Sequence, residues 1–553
     1  MPAFERSILG NLPALAAQSW GDREALCFEN QRWTFSEFSQ AVDQCAKGLI
    51  AIGVAPGERV AVWMVNRPEW LFLMYAVARV GAVIVPLNTR YRSEDVAYAA
   101  AQSRCATLIV NARSGPVDYA AMLAESMPDL AVGRAGALQL SRYPDLKRLI
   151  VLGACELPNI QSWESMMAAG TAAGVAVSDD ALSARAAAVD SNDALMVLYT
   201  SGTTGDPKGA VHTHAVIRNT RERAKIYGMN EADVHMNYMP LFHLYGFSEV
   251  AIIALMTGGR QVLMSAFEAD QVLDLAEAEA ATILHGFDAH WLDLLAAQDA
   301  RPRRLAMRFG TYPSGTDASV DVCRRVQDVF GPTLSGWGMT EAWGFVACNS
   351  LDDSVDQRTA ASGKAMPGYE FRVVDPDTGV DLPDETPGEL LARGYAQMRE
   401  YFDKPVETGE TIIEGGWVRT GDMVRQRADG HIVFMGRYKD ILKIGGENVA
   451  PAEIEARLLT LDGVRDAAVV GAPDRRLGEI PVAFLLVAPD CALREDDVID
   501  SCRGRVASFK LPRRVFFVDA LPMTPSGKVR KVELRAEAAT LIERGDGEPH
   551  ERS

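Results

Sequence analysis

Short apolar runs alternate with amphipathic runs along the chain up to about residue 440, and this rhythm limits the folds open to it. Thr34–Glu37 has the pattern of a capping box that opens a helix ending near Gly53. The runs that follow predict a strand, a helix and a second strand, at Arg59–Met64, Trp70–Val80 and Gly81–Pro86. A β–α–β order of this kind indicates parallel sheets covered by helices, so the predicted class is α/β.

The pattern changes after Asp440, where the runs become shorter. Pro451 stands at the first position of a predicted helix, which tolerates its fixed φ and missing N–H. The other predicted elements are strands at 440–444, 464–470, 481–487 and 514–518 and a helix at 494–506. We therefore predict a large N-terminal domain at 1–436, a hinge at 437–440, a small mobile α+β lid domain at 441–542 and a disordered tail at 543–553.

The charge balance excludes several classes of partner. The 553 residues include 56 Lys and Arg against 74 Asp and Glu, a formal net charge of −18. Such a chain repels nucleic-acid backbones and anionic lipid, so neither nucleic acid nor stable membrane insertion is expected. The most apolar window, 72–87, is too short to span a bilayer. The eight cysteines form no CxxC pair and the N-terminus makes a poor signal peptide, so a reduced, cytoplasmic protein is predicted.

Residues 195–209 carry the strongest local signal for chemistry. An apolar strand leads into a loop with three glycines, four hydroxyl side chains and Lys208. Glycines allow successive backbone N–H groups to converge, and the hydroxyls and the lysine add donors, which together suit a phosphate. A flexible linker is the alternative, but Pro207 and the preceding strand argue against it. The loop is not a Walker loop, because the chain has no G-x4-G-K-[ST] sequence.

The loop Tyr199–Gly209 resembles the signature phosphate loop of the adenylate-forming superfamily, which includes acyl-CoA synthetases, luciferases and the adenylation domains of peptide synthetases. Further family motifs match in the expected order, at Gly336–Glu341, Gly388–Gly394, Trp417–Asp422, Gly436–Asp440 and Pro525–Lys528. Family-like features at Trp33–Phe35 and Val80–Asn88 extend the match over nearly the whole chain. The resemblance points to the branch that joins carboxylic acids to CoA.

The resemblance implies a reaction in two steps: a carboxylate and ATP give an acyl-adenylate and pyrophosphate, and a thiol then takes the acyl group. Both first reactants are anions, so the site needs positive charge at the α-phosphate and close placement of the attacking oxygen. Thr340 is implied to hydrogen-bond the α-phosphate and Glu341 to hold Mg²⁺. Lys528 is implied to reach from the small domain to the carboxylate and α-phosphate oxygens as charge develops. The residues implied to bind the rest of ATP are Thr200, Ser201, Gly202, Thr203, Thr204 and Lys208 at the β- and γ-phosphates, Asp422 and Arg437 at the ribose, and Gly315 and Trp337 near the adenine, with Gly338.

A second group of residues is implied in the thiol step. Lys439 occupies the position of the family hinge, and Lys443, Gly445 and Gly446 are implied to meet CoA once the small domain has turned. Glycines there would let pantetheine pass close to the backbone. One fixed surface cannot suit both pyrophosphate departure and thiol entry, which makes a hinge between the half-reactions physically reasonable. Without the resemblance, the two glycines read as a hairpin turn.

The sequence leaves the identity of the acid open. Pro240–Phe247 resembles the motif that forms a wall beside the acyl carboxylate. His243 stands where domains that take α-amino acids usually have Asp, which favours an acid without an α-amine. Trp337 replaces a usual Tyr, and Tyr312–Asp317 replaces a commoner Gly-Gly-Ala pattern, so fatty, aryl and bulky polycyclic acids are all candidates. Two further histidines near this region are interpreted as core residues, His285 and His290.

The leading hypothesis is an ATP-dependent carboxylic acid–CoA ligase that uses ATP, Mg²⁺ and coenzyme A. The closest alternative delivers the acyl group to the phosphopantetheine of an acyl carrier protein. A luciferase-type oxygenase shares the fold, and a nucleotide-binding regulator without catalysis belongs to another class. Retention of Glu341 and Lys528 argues against the regulator, because sensing ATP needs neither. The oligomeric state, a homodimer included, is left open.

Overall fold

The computed structural model of the chain describes residues 8–131, 138, 140–171, 176–200, 207–313, 317–444, 447–474, 477–489, 491–503, 510–523 and 529–543. The tail predicted at 543–553 lies outside these residues, apart from Glu543. Among the described helices, none combines the length and the apolar composition needed to cross a membrane.

The strands are numbered in chain order. They are β1 Glu24–Phe28, β2 Gln31–Thr34, β3 Arg59–Trp63, β4 Val83–Pro86, β5 Thr107–Asn111, β6 Arg113–Ser114, β7 Val117–Asp118, β8 Arg148–Leu152, β9 Gln161–Ser162, β10 Ala194–Thr200, β11 Lys208–Thr213, β12 Val234–Asn237, β13 Arg260–Leu263, β14 Ile283–His285, β15 Phe309–Thr311, β16 Thr333–Leu334, β17 Gly336–Met339, β18 Gly344–Cys348, β19 Lys364–Ala365, β20 Tyr369–Val374, β21 Gly388–Gly394, β22 Glu400–Tyr401, β23 Ile412–Ile413, β24 Trp417–Gln426, β25 Ile432–Arg437, β26 Leu442–Ile444, β27 Glu447–Val449, β28 Val464–Asp474, β29 Gly478–Val487 and β30 Arg514–Val518.

The α-helices are numbered in the same way. They are α1 Leu12–Trp20, α2 Phe35–Ala51, α3 Pro68–Arg79, α4 Ser93–Gln102, α5 Tyr119–Ser126, α6 Trp163–Ala169, α7 Asp179–Ala187, α8 Ile217–Ile226, α9 Leu244–Gly246, α10 Ile253–Thr257, α11 Ala269–Ala278, α12 Asp288–Ala300, α13 Asp317–Phe330, α14 Val355–Ala360, α15 Pro405–Thr411, α16 Pro451–Leu459, α17 Glu495–Cys502 and α18 Lys531–Glu543. A π-helix, Phe247–Ile252, joins α9 to α10.

Two largely parallel sheets organise the N-terminal part. One has the strand order β16–β15–β14–β12–β13–β1–β2, with an antiparallel pair at β1–β2. The other has the order β22–β11–β10–β4–β3–β5–β8–β9, with antiparallel pairs at β10–β11 and β11–β22. In the parallel part of each sheet, crossover helices bring successive strands back in the same direction, which is what the alternation in the sequence predicts. The predicted α/β class is confirmed.

Helix α2 shows how local sequence sets an element boundary. The Thr34 hydroxyl accepts a hydrogen bond from the Glu37 backbone N–H at 3.1 Å, and the Glu37 carboxylate accepts from the Thr34 N–H at 2.8 Å. The predicted capping box is therefore confirmed. The apolar face of the helix buries Phe35, Phe38 and Val42 in a cluster to which both sheets contribute. Burying side chains of this size contributes about 1.5–3 kcal/mol each.

An antiparallel sheet leads from the parallel sheets to the small domain. Its order is β20–β21–β24–β23, and β25 pairs with β24. β25 ends at Arg437, and Tyr438–Asp440 forms one 3₁₀ turn. The small domain has the order β27–β26–β29–β28, with β30 parallel to β29, and its helix α16 begins at Pro451 as predicted. A large N-terminal domain and a smaller α+β domain are thus confirmed.

Four buried histidines, together with the partly buried His290, give the fold a predicted sensitivity to acid. Burial lowers the pKa of His212, His214, His235 and His290 to about 4, and that of His285 well below its usual value. In the unfolded chain these histidines bind protons near pH 6.5. Their contribution to the free energy of unfolding is therefore fully present above that pH and is lost as the pH falls towards 4. The limiting slope is about 1.4 kcal/mol per pH unit for each histidine. Urea unfolding between about pH 7.5 and 5 should show a falling free energy of unfolding.

Glu249 acts in the opposite direction. Burial raises its pKa to about 7, so its contribution is complete at low pH and is lost as the pH rises from about 4.5 to 7. As the pH falls, the stabilisation from protonating this one carboxyl group is smaller than the destabilisation from the five histidines. His235→Asn, which removes one of them, should make the slope shallower. A free energy of unfolding that stays constant or rises on acidification would contradict the prediction.

Candidate active site

The predicted phosphate loop joins two antiparallel strands. β10 ends at Thr200 and β11 begins at Lys208, and these two residues face each other in the strand register. The Thr200 hydroxyl donates a hydrogen bond to the Lys208 carbonyl at 3.4 Å. Thr200 and Lys208 therefore flank the base of the loop. Its other predicted residues, Ser201, Gly202, Thr203 and Thr204, lie outside the described residues.

Tyr401 connects Lys208 to Glu341. The Lys208 Nζ lies 4.9 Å from the centroid of the Tyr401 ring, and the Tyr401 hydroxyl donates to Glu341 Oε1 at 2.7 Å. Burial, and then the adjacent Glu341 carboxylate, raise the pKa of Tyr401 far above its usual value, so its hydroxyl stays a donor. β22 carries Tyr401 and pairs with β11 at Ala210. The predicted phosphate-binding lysine and the predicted metal-binding carboxylate therefore lie on two sides of one tyrosine.

Thr340 and Glu341 are held through their backbone carbonyls. The Met398 N–H donates to the Glu341 carbonyl at 2.6 Å, and His212 Nε2 lies 2.8 Å from the Thr340 carbonyl. A carbonyl only accepts, so Nε2 of His212 carries the proton. Because burial lowers the pKa of His212 to about 4, the ring is neutral at pH 7. These contacts fix the backbone from which the Thr340 and Glu341 side chains project.

Asp422 is the second fixed carboxylate of the site. Arg437 Nε lies 2.6 Å from Asp422 Oδ1, and the Trp337 indole N–H donates to Oδ2 at 2.9 Å. Asp422 and Arg437 face each other where β24 pairs with β25. Asp422 is 2% exposed, and the contacts with Arg437 and Trp337 help to offset the cost of burying its charge. The result is a rigid acceptor for hydroxyl groups.

Gly338 and Gly344 let two backbone segments touch beside Thr340. A Cβ added at Gly338 would lie 1.8 Å from the Gly344 carbonyl oxygen, so no side chain fits there. Gly344 has a φ of +76°, and a Cβ added to it would lie 2.5 Å from Glu249 Oε1. The turn between β17 and β18, which carries Thr340, therefore closes this tightly only with glycine at both positions.

His243 caps the short helix α9. Its Nδ1 accepts from the Tyr245 backbone N–H at 3.2 Å, which places the proton of the neutral ring on Nε2. The Tyr245 hydroxyl lies 2.8 Å from Thr311 Oγ1, and His285 Nδ1 lies 2.7 Å from the same atom. His285 is fully buried. The segment around His243 is thereby tied to β14 and β15.

The predicted hinge and thiol-step residues lie where the antiparallel sheet passes into the small domain. Lys439 is in the 3₁₀ turn and Lys443 is in β26. The structure describes the backbone of both residues but not their side chains. The other predicted residues outside the described part are Gly315, Gly445, Gly446 and Lys528.

Two residues of this site were not singled out from the sequence. Tyr401 follows no local motif, and its place depends on the pairing of β22 with β11. His212 could have been noticed in the sequence. It is a titratable side chain in an otherwise apolar stretch, after Ala210 and Val211, in the strand that begins at Lys208.

Comparison with known proteins identifies the family. The family described as AMP-binding enzyme matches residues 14–402, which is more than half of the chain. This chain is an AMP-binding enzyme. The model for the C-terminal domain of AMP-binding enzymes matches residues 453–528. The resemblance to the adenylate-forming superfamily is confirmed.

Relatives of this AMP-binding enzyme match along nearly its whole length. YngI of Bacillus subtilis (strain 168), whose name places it with the acyl-CoA synthetases, is 32% identical over 547 residues, or 98% of this chain and 99% of that protein. A methyl-dioxo-octahydroindenyl propanoyl:CoA ligase of Rhodococcus jostii (strain RHA1) is 33% identical over 531 residues, or 94% of this chain and 97% of that protein. The crystal structure of the anthranilate CoA ligase AuaEII with anthranoyl-AMP has a TM-score of 0.84 and 26% identity, and the match covers 98% of both chains.

Proposed function

We propose that this AMP-binding enzyme is an ATP-dependent carboxylic acid–CoA ligase that works through an acyl-adenylate. The observation that carries the proposal is a pair of contact sets: Tyr401 joins Lys208 to Glu341, and Trp337 holds Asp422. Lys208 is a cation suited to the triphosphate of ATP. Glu341 is a carboxylate suited to a hard metal ion, and Asp422 is a fixed acceptor suited to the ribose hydroxyls. The names of the relatives point to the same reaction class.

In the first step a carboxylate oxygen of the acid attacks the α-phosphorus of ATP. The bond from that phosphorus to the oxygen bridging to the β-phosphate breaks, and pyrophosphate leaves. Lys208 binds the outer phosphates, Thr340 donates to an α-phosphate oxygen, and Lys528 offsets the charge that develops there. His243 forms the wall beside the carboxylate. In the second step the CoA sulfur attacks the acyl carbonyl carbon, AMP leaves, and the thiol proton is lost to water.

Glu341 is the proposed ligand for Mg²⁺. Its carboxylate is a hard oxygen donor, and Tyr401 engages Oε1. Magnesium sites in nucleotide-binding proteins combine one or two carboxylates with phosphate oxygens and waters, so this donor fits the ion. When bound, Mg²⁺ supplies positive charge at the phosphates. Glu341 itself orients that charge, because its backbone carbonyl and its carboxylate are both held.

The remaining contacts to the nucleotide follow the same arrangement. Asp422, with Arg437 beside it, accepts from the ribose hydroxyls, and Trp337 packs on the adenine through a ring that Asp422 anchors. The other residues proposed to bind ATP are Thr200, Ser201, Gly202, Thr203, Thr204, Gly315 and Gly338.

The proposed domains are 1–436 and 441–542, with Lys439 as the hinge. The single 3₁₀ turn at Tyr438–Asp440 supports this placement, because it joins the antiparallel sheet to the small domain through very few residues. Lys443, Gly445 and Gly446 are proposed to meet CoA after the small domain turns. None of the eight cysteines, all of which lie within the described residues, forms a disulfide, which supports the predicted cytoplasmic location.

Lys439→Pro should slow thioester formation more than adenylate formation. Proline fixes φ near −65° and so stiffens the turn about which the small domain moves. The two half-reactions are measured separately, as pyrophosphate release and as acyl-CoA formation from supplied acyl-adenylate. We expect a difference of about tenfold or more between them. Lys439→Ala, which keeps a flexible backbone, is the control, and equal slowing of both steps would count against a domain rotation.

Carboxylate-dependent exchange between ATP and pyrophosphate, measured over a panel of fatty, aryl and polycyclic acids, tests the proposed function. Exchange should appear with acids that lack an α-amine, and addition of CoA should then give a thioester. Exchange without a thioester would favour transfer to an acyl carrier protein. No exchange with any acid would contradict the ligase assignment.

A further inference from the structure

Lys531 occupies an unusual position for a lysine. It is the first residue of α18, and its side chain is 20% exposed, whereas its neighbours Arg530, Val532 and Glu533 are exposed. The N-terminus of a helix carries partial positive charge, so a further positive charge there is unfavourable. Lysine is also rarely buried unless it is paired. Both effects predict that Lys531 keeps this position because of a partner.

The partner of Lys531 is Glu455 of α16. The Lys531 Nζ donates to Glu455 Oε1 at 2.6 Å, and the Val469 backbone N–H donates to the same oxygen at 2.7 Å. The Glu455 side chain is 14% exposed, and Val469 is fully buried in β28. Hydrogen bonds to an ionised carboxylate are stronger than those between neutral groups. Glu455 therefore attaches the start of α18 to both α16 and β28.

The same attachment lies beside the segment that carries Lys528. Val529 pairs with Met523 in an antiparallel bridge. The residues between them, which end with Lys528, lie outside the described part of the chain. Lys528 is bonded directly to Val529, and Lys531 follows two residues after Val529. The bridge joins the two ends of the segment, and the pair of Lys531 with Glu455 attaches them to the body of the small domain.

The other anchors of α18 lie further along the helix. Leu534 and Ala538 are buried in one cluster with side chains of β28, and Arg535 lies 3.6 Å from Asp440 in the turn proposed as the hinge. Helix ends open at little cost in free energy unless side chains hold them. The first turn of α18, which is the turn nearest to Lys528, is therefore held by the side chain of Lys531.

The first half-reaction is sensitive to where a charge is placed. A displacement of about 1 Å, caused by a change far from the chemistry, can cost about 100-fold in rate. We propose that Glu455, acting through Lys531, is a positioning residue that holds Lys528 in place for acyl-adenylate formation. The inference rests on the proposed ligase function and on the role proposed for Lys528. Because that role belongs to the first step, the loss of Glu455 should affect the second step much less.

Glu455→Gln tests the inference. Glutamine keeps an oxygen that can accept from the Val469 N–H, and it removes the charge that attracts Lys531. We expect kcat for acyl-adenylate formation, followed as pyrophosphate exchange, to fall by about tenfold, with KM for ATP near its wild-type value. Formation of acyl-CoA from supplied acyl-adenylate should stay near the wild-type rate. Lys531→Met should behave in the same way, and it decides alone if Glu455→Gln fails to fold.

A double variant separates positioning from a general loss of stability. Glu455→Gln is added to Lys528→Ala, and the residual exchange of the two proteins is compared. If Glu455 acts through Lys528, the second change has no further effect once that lysine is absent. A further loss of about tenfold in the double variant would show that Glu455 acts by another route, and would overturn the inference.

Glu453→Gln is the matched control. Glu453 also lies on α16 and forms a partly exposed pair with a lysine, Lys510, which is not part of α18. This variant should keep both half-reactions near their wild-type rates. Equal slowing of both half-reactions in Glu455→Gln, or the same slowing of the first in Glu453→Gln, would overturn the inference. Wild-type protein without exchange would instead contradict the ligase function, and normal exchange in Lys528→Ala would contradict the role of that lysine.

Discussion

Glu341→Gln is expected to slow acyl-adenylate formation by about 100-fold or more, because charge stabilisation by a bound metal ion is worth several kcal/mol and each 1.36 kcal/mol is tenfold in rate. Glutamine keeps the size of the side chain and an oxygen that can accept from Tyr401, so the change removes the charge with little else. A neutral amide is a weaker ligand for a hard cation. Pyrophosphate exchange measured against magnesium concentration should show both a lower rate and a requirement for more magnesium.

Tyr401→Phe provides the comparison for this variant. It keeps the ring beneath Lys208 and the charge of Glu341, and it removes only the hydroxyl that donates to the carboxylate. We expect a smaller loss of rate and the wild-type dependence on magnesium. A Glu341→Gln protein that responds to magnesium as the wild type does would show that Glu341 is not the metal ligand.

Lys528→Ala should lower the rate of acyl-adenylate formation by about 100- to 1,000-fold, the usual effect of removing one preorganised charge partner. Thioester formation from supplied acyl-adenylate should change much less, because the charge that the lysine offsets develops in the first step. The two half-reactions are followed separately, as pyrophosphate exchange and as acyl-CoA production.

Arg530→Ala is a matched control for Lys528→Ala, because it removes a positive charge two positions away. Arg530 forms a half-exposed pair with Glu533 at 2.5 Å, and such pairs contribute about 0–1 kcal/mol. This variant should keep both half-reactions near their wild-type rates. Near-normal adenylation in the Lys528 variant would overturn the role given to that lysine.

Local signals were sufficient where a residue and its partner are close in sequence. The helix that begins after Thr34 was predictable because its cap is made by Glu37, three residues later, and the helix at Pro451 because proline suits its first turn. The strand predicted at 464–470 instead continues to Asp474, because its pairing with β29 extends to Gly478. That extension depends on a partner strand, so the sequence of the segment itself does not predict it.

The candidate site divides in the same way. Motifs singled out Glu341 and Asp422, because their neighbours in sequence belong to the same pattern. Tyr401 could not be found, since its contact with Glu341 spans 60 positions and depends on the register of β22 against β11. The hydrogen bond from Trp337 to Asp422, which spans 85 positions, was missed for the same reason, although both residues were predicted to bind the nucleotide.

The carboxylate of Asp422, which is proposed to bind the ribose, is held in place by the fold itself. Arg437 and Trp337 each engage a different oxygen of the carboxylate, so the group is held in one orientation. The rotamer freedom of this side chain is therefore lost during folding and not at the moment of association, which favours tighter binding. If Asp422 binds the ribose as proposed, recognition of the sugar depends in part on the Trp337 indole, a side chain that need not touch the sugar.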